Sequence, residues 1–368
     1  MLSADVVVVG GGIAGVSIAG ELAEHCSVVL LEQESQLAYH TTGRSAATFL
    51  ESYGGPEIRA LTHASRALVD RAGQERGAPL FSPRPLLWVT DRDHLPELDA
   101  LVAANPTLQR IGVDEARELC PVLDPAYLAG AATEPGAQDV DVLGLHQYYL
   151  ARARRYGARV LVDTRVESGE RSGSRWRLHT TQGPVEADVV VNAAGAWGDD
   201  LAARLGVAPI GLSPLRRTIA VAPLDGVNRS WPLVADVAET FYFRPEGPGI
   251  LLSPADETPC APCDAKPADL DVALAVERVN AATSLQVRSV RVAWAGLRTF
   301  APDRNPVIGF DPGHEGFFWL VGQGGYGIQS TPATALLATG LITRGTVPDV
   351  LTATGLDVTR LSPDRLRG

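Results

Sequence analysis

The chain has 368 residues, 45% hydrophobic and 20% charged, a balance that excludes a disordered segment. Thirty-two Lys and Arg against 43 Asp and Glu leave a net charge of −11 with no basic block, which argues against binding nucleic acid through its phosphates. No apolar run approaches the roughly 20 residues of a membrane-spanning helix, and four cysteines in a chain this long make no disulfide scaffold. The length predicts two domains at roughly 150 residues each. The N-terminus runs straight into a strand pattern without a basic leader, so no signal peptide is expected and a cytoplasmic enzyme is.

Asp5 to Val9 is a β-branched run of the kind found in a strand buried on both faces. Gly10, Gly12 and Gly15 follow in a G-x-G-x-x-G pattern, then an alanine-rich helical stretch from Val16 to His25, then a second strand, Ser27 to Leu31, ending at Glu32. Each part has a task in holding a dinucleotide. Gly10 permits the tight turn, Gly12 lets the backbone approach a pyrophosphate, and Gly15 lets helix and strand pack closely. The helix N-terminus offers free N–H groups to the phosphates. Glu32, 20 residues after Gly12, can accept hydrogen bonds from a ribose and disfavours a 2′-phosphate, so FAD or NAD is expected rather than NADP.

Past Glu32 lies Tyr39-His-Thr-Thr-Gly-Arg-Ser-Ala-Ala-Thr48. With the dinucleotide pattern before it, this segment resembles the flavin-side loop of the D-amino-acid oxidase superfamily. The resemblance continues in order through Tyr53-Gly54, Ser82-Pro-Arg-Pro85, Val191-Asn-Ala-Ala-Gly-Ala-Trp197, Pro214-Leu-Arg-Arg217, Phe241-Tyr-Phe243, Trp294-Ala-Gly-Leu-Arg298 and Gly322-Gln-Gly-Gly-Tyr-Gly-Ile-Gln329, over nearly the whole chain. It is closest to the FAD-dependent D-arginine dehydrogenase type. The resemblance implies an α/β fold: a discontinuous Rossmann-like FAD-binding domain over 1–80, 141–209 and 296–368, with a mixed-sheet α+β substrate domain over 81–140 and 210–295. It implies that FAD is held by Gly10, Gly12, Ala14, Gly15, Glu32 and Gln33, by Thr41, Thr42, Gly43, Arg44, Ser45, Ala46 and Ala47, by Val166, Ala194, Gly195 and Trp197, and by Gly325, Tyr326, Gly327, Ile328 and Gln329.

Within that frame Arg159 to Val162 reads as a third parallel strand, with Val166 in the turn after it. Ala187 to Asn192 and Trp319 to Val321 read as further buried strands, and Thr331 to Arg344 as a closing helix. Strands are expected at Leu86 to Thr90, Thr218 to Ala222, Thr240 to Arg244, Gly249 to Ser253 and Ser289 to Ala293. Helices are expected at Asp114 to Cys120 and Asp269 to Ser284. Pro254 to Pro267 reads as a proline-rich loop.

The resemblance assigns substrate contact to Tyr53, Arg217, Tyr242 and Arg298. A guanidinium suits a carboxylate because its fork binds both oxygens at fixed geometry. Neighbouring strand residues face opposite ways, so only one of Arg216 and Arg217 can meet the pocket, and the resemblance selects Arg217. Thr48, Leu86, Leu233 and Gly325 are expected to complete the pocket. His40 is expected to be structural, since hydride transfer from Cα needs an unprotonated amine and not a protein base. Cys260-Ala-Pro-Cys263 lacks a second ligand pair, so no metal is expected. No cysteine follows Cys263, and FAD is expected to be non-covalent.

After Ser82-Pro-Arg-Pro85 the D-arginine type carries an acidic residue that meets the substrate guanidinium; this chain has Leu86. A guanidinium against leucine would be unpaired at a cost of several kcal/mol. The expectation is therefore oxidation of an α-amino acid, a D enantiomer with an apolar side chain, to the 2-oxo acid. The alternatives are glycine, an N-methyl amino acid or a 2-hydroxy acid on the same scaffold, or a non-catalytic flavoprotein subunit. Lys266 is the only lysine, so no lysine is available to activate oxygen at the flavin, and the unknown electron acceptor is weighted toward one other than oxygen.

Overall fold

A computed structural model describes residues 2–367. The strand Leu2–Val9 lies between two parallel neighbours, Val28–Leu31 and Gly183–Asn192, in an eight-stranded sheet. Arg159–Leu161 extends it beyond Val28–Leu31, and Phe317–Val321 pairs in parallel with the end of Gly183–Asn192. Val6 and Val8 pack with the helices Ile13–Leu22, Val142–Arg155 and Gly327–Arg344. Val7 and Val9 face the opposite core of Leu201, Leu205 and Trp319. Each such valine contributes roughly 1.5–3 kcal/mol by burial. This double burial is why the segment shows no polar alternation.

The first helix starts three residues earlier than the sequence suggests, at Ile13, and ends at Leu22 instead of reaching His25. Its first turn is held by the Thr42 hydroxyl, which accepts from the Ile13 N–H at 2.9 Å. Gly15 is required: a Cβ there would lie 1.8 Å from the Gly10 carbonyl oxygen. Val166 opens the strand Val166–Ser172 rather than sitting in a turn. The closing helix begins at Gly327, about a turn ahead of the expected Thr331, with Pro332 inside it.

The second sheet has nine strands in the order 258–259, 213–223, 249–253, 242–246, 233–236, 86–90, 130–134 and 109–111, with Val292–Phe300 also paired to Ser213–Pro223. It is mixed: Leu86–Thr90 runs parallel to Leu233–Asp236, while the other pairings are antiparallel. The strand expected at Ser289 to Ala293 is shifted along the chain to Val292–Phe300. Register along Ser213–Pro223 sets Arg217 opposite Gly296 and Leu215 opposite Arg298. Arg217 and Arg298 are thus diagonal neighbours on one face. The adjacent Arg216 points to the other side, where it pairs with Asp271 of helix Asp269–Ala282 at 2.8 Å.

Candidate active site

A large cavity lies between the two sheets. Gly10 to Ala14, Glu32, Gln33, Thr41, Thr42, Arg44, Ser45 and Ala46 form one side, with Val166, Ala194, Gly195 and Trp197 at one end. Arg217, Tyr242, Arg298, Thr48 and Tyr53 stand at the other end with Gly325, Gly327 and Ile328.

The glycine turn fits a dinucleotide. Gly10 has φ +116° and a Cβ there would lie 2.3 Å from the Ala193 carbonyl oxygen, so the turn is closed on one side by backbone. A Cβ on Gly12 would meet only the Thr42 hydroxyl at 3.2 Å, so here the backbone itself is bare toward the cavity. Amides in the first turn of a helix lack intrahelical partners; the Ile13 N–H is taken by Thr42, and Gly12, Ile13 and Ala14 line the cavity. Glu32 Oε2 accepts from the Gly11 N–H at 2.6 Å and Oε1 from the Glu34 N–H at 2.9 Å. Burial pushes its carboxyl above the ordinary value. Glu32 therefore fastens the turn as well as lining the ribose end. On the far side Gly195 has φ +55° and open space where a Cβ would be.

Several expected cofactor residues support the wall from behind. Gly15 packs on Gly10. Gly43 donates its N–H to the Ala38 carbonyl, and Ala47 takes a left-handed φ of 59° with its N–H on the Ser45 hydroxyl. Tyr326 packs on Tyr53 with ring centroids 4.9 Å apart. Gln329 is buried and spends its amide on Leu50 and Thr62, holding the turn before Tyr53. Arg44 lines the cavity, but its guanidinium is bound to the Ala265 and Ala295 carbonyls and to Asp264. His40 bonds Glu34 through Nε2 at 3.0 Å and packs on Trp197, in keeping with a structural role.

The other end of the cavity gathers cations and phenols. Arg298 Nη1 donates to the Tyr53 hydroxyl at 3.1 Å, and among the described residues Arg298 faces no carboxylate within salt-bridge distance. Arg217 is only 5% exposed; its Nε donates to the Asp256 carbonyl at 2.7 Å, and Glu257 lies 3.4 Å from Nη2 while also pairing with Arg304. The Tyr242 hydroxyl is buried with no hydrogen-bond partner. Glu134, buried beneath them, accepts from the Glu51 and Ser52 N–H groups at 2.8 and 3.2 Å and so fixes the turn that carries Tyr53.

A smaller branch opens from this end, sharing Thr48, Tyr53, Arg217, Tyr242 and Arg298 with the main cavity. Its further walls are Leu50, Trp88, Leu233, Ala235, Phe241 and Ala255, with Arg244, whose guanidinium is paired to Asp139 and Glu246. Leu86, expected to set side-chain preference, lines neither cavity. It lies on the same face of its strand as Trp88 but is sealed in the cluster with Leu50, Leu98 and Leu233. Trp88, two residues on, takes the wall position, and sequence alternation alone does not distinguish the two. Two acids also border the branch. Asp236 is consumed by Tyr127 and Thr240, while Glu239 is exposed at the rim.

None of Cys26, Cys120, Cys260 and Cys263 lines either cavity, so no thioether to a flavin can form there. Acid precipitation is expected to release all flavin into the supernatant as free FAD, measured by its absorbance. Flavin retained in the pellet would overturn this and point to His40, whose Nδ1 is buried without a partner on the cavity wall.

A dinucleotide turn facing a mixed sheet, with two arginines at the far end of one cavity, fits a dinucleotide-dependent protein that takes an anionic ligand. The chain matches the family described as DAO, FAD dependent oxidoreductase, over residues 5–341, and belongs to it; FAD is its cofactor. It is 26% identical to the glycine oxidase of Pseudomonas putida over 368 residues, covering 93% of this chain and 95% of that protein. It is 25% identical to the mitochondrial dimethylglycine dehydrogenase of Mus musculus over 396 residues, covering 98% of this chain but only 44% of that longer protein. In structure it resembles the L-proline dehydrogenase from P. horikoshii, with a TM-score of 0.88 at 22% identity over 100% and 98% of the two chains. It also resembles the glycine oxidase from Geobacillus kaustophilus, with a TM-score of 0.86 at 24% identity over 98% of each. Among the described residues no helix is long and apolar enough to cross a membrane.

Proposed function

We propose that the protein oxidises the CH–NH bond of an α-amino acid with an apolar side chain, taken as the D enantiomer, to an imino acid that water converts to the 2-oxo acid. The observation that carries this reading is Arg298, a guanidinium set deep against Tyr53 with no carboxylate of its own. A guanidinium held there asks for an anion, and an α-carboxylate satisfies its fork. Bound FAD supplies the two-electron acceptor for the hydride that leaves Cα. Arg298 and Arg217 hold the carboxylate, and the unpartnered Tyr242 hydroxyl donates to it. Tyr53 orients Arg298 and, with Tyr326, closes the site from water. The side chain then lies in the branch against Leu50, Trp88 and Leu233. Glu239 stands in solvent, where a single ion pair is worth about 0–1 kcal/mol, too little to hold a basic side chain against an apolar wall. The D enantiomer follows from the resemblance to the D-arginine type, as does the division into an FAD-binding domain and a substrate domain at residues 80, 141, 210 and 296.

The test is anaerobic flavin bleaching with a panel of D- and L-amino acids, glycine, N-methyl amino acids and 2-hydroxy acids. Apolar D-amino acids should bleach fastest. Bleaching by glycine or sarcosine alone would support the second reading, which the glycine oxidase relatives favour. Bleaching by none would indicate a non-catalytic subunit. Trp88→Ala should move the kcat/KM ratio of large to small apolar substrates at least tenfold, about 1.4 kcal/mol, because it lengthens the branch. Leu86→Ala should leave that ratio unchanged and lower stability by about 2–5 kcal/mol as a core truncation, read from urea unfolding.

A further inference from the structure

We infer that Cys260 and Cys263 form a thiol–disulfide exchange site whose redox state is coupled to retention of FAD. The inference rests on the FAD cavity and is independent of the substrate. The two Sγ atoms lie 3.6 Å apart. Cys263 is exposed, so a small disulfide can reach it; Cys260 is half-buried behind it. The Cys260 N–H is fixed to the Pro214 carbonyl at 3.0 Å, and its side chain packs on the buried cluster of Ala196, Ala265, Ala295 and Leu297, against which Trp197 also packs. The two residues after Cys263 hold the cofactor loop: Asp264 pairs with Arg44 at 2.5 Å and the Ala265 carbonyl accepts from Arg44 at 3.0 Å. Arg44, Trp197 and Leu297 all line the FAD cavity. A disulfide needs its sulfurs about 2.05 Å apart, so closing the four-residue ring draws together two side chains that adjoin this clamp, and we infer that the clamp responds.

The exchange is balanced with glutathione disulfide as oxidant. The Cys263 thiolate attacks one sulfur and expels one glutathione thiolate, leaving a mixed disulfide. The Cys260 thiolate then attacks the Cys263 sulfur and expels the second. Two protons and two electrons pass from the protein to two glutathione molecules. Partial desolvation and the neighbouring Cys260 and Asp264 raise the Cys263 thiol above its ordinary value, which slows attack at neutral pH. Cys26 and Cys120 are held protonated by burial, their thiols pushed up to about 11 and about 12.

The test incubates the holoprotein with glutathione disulfide and follows intact mass and the rate of FAD release by flavin fluorescence. The expected product is two hydrogen atoms lighter, carries no glutathione, reverts with dithiothreitol, and releases FAD at a rate changed about fivefold or more, the lower range of coupling between sites. Cys260→Ser should stop at a glutathione adduct on Cys263 and release FAD at a rate the oxidant does not alter. A stable glutathione adduct on the wild type, or no reaction, would overturn the exchange site. An internal disulfide with unchanged FAD release would overturn the coupling.

Discussion

Arg298→Lys is expected to lower kcat/KM by about 2–4 kcal/mol, roughly 30- to 1,000-fold, although the charge is kept. Arg298 reaches the cavity end between Tyr53, which accepts from its Nη1 at 3.1 Å, and Gly325, where a Cβ would lie 2.6 Å from the guanidinium carbon. That close fit holds the planar fork at one angle. Lysine presents a point charge on a flexible stem and cannot make two parallel hydrogen bonds to a carboxylate. The Tyr53 hydroxyl also loses its donor. Flavin content should not change, because Arg298 and the dinucleotide turn lie at opposite ends of the cavity. Steady-state kinetics with flavin absorbance as the concentration standard separates the two effects. Near-wild-type kcat/KM on an α-amino acid would remove Arg298 from the carboxylate clamp and, with it, the main support for an amino-acid substrate.

What was legible in the sequence was what a short stretch of chain decides alone. Val6 to Val8 declared a doubly buried strand because both faces are apolar, and the glycine spacing declared a turn because only backbone fits there. Arg217 could be told from Arg216 in part by alternation, and the structure sends Arg216 to Asp271 as alternation requires. The errors fall where a distant segment decides. Leu86 and Trp88 share a face, and only the packing of Leu50 and Leu98 seals one away while the other meets the cavity. The strand at Val292–Phe300 takes its limits from nine paired positions on Ser213–Pro223, which no local pattern records. The resemblance gave Gln329 to the cofactor, and the structure turns its side-chain amide to the backbone of Leu50, nearly 280 residues earlier in the chain. The closing helix was expected from Thr331, whereas the chain is helical from Gly327, with Pro332 inside the helix.

Gly12→Val and Gly15→Val should fail in different ways, and the contrast tests the cofactor site more sharply than either alone. At Gly15 a Cβ would sit 1.8 Å from the Gly10 carbonyl oxygen and 3.4 Å from a Val8 methyl. Backbone cannot yield there without parting the first helix from the first strand, so Gly15→Val should prevent folding to a soluble product. At Gly12 the only atom within 4 Å of a Cβ is the Thr42 hydroxyl at 3.2 Å. Thr42 must give by a few tenths of an ångström, which weakens its bond to the Ile13 N–H, and the fold survives. The added valine methyls then occupy the space where the backbone would approach the pyrophosphate. Gly12→Val should therefore be a folded, colourless protein, with a wild-type far-UV circular dichroism spectrum and less than about a tenth of the bound FAD. A tenfold loss of occupancy at limiting FAD corresponds to at least about 1.4 kcal/mol of binding free energy. A fully yellow Gly12→Val protein would place the pyrophosphate elsewhere in the cavity, and a well-folded Gly15→Val protein would mean that the helix does not pack on the strand as described.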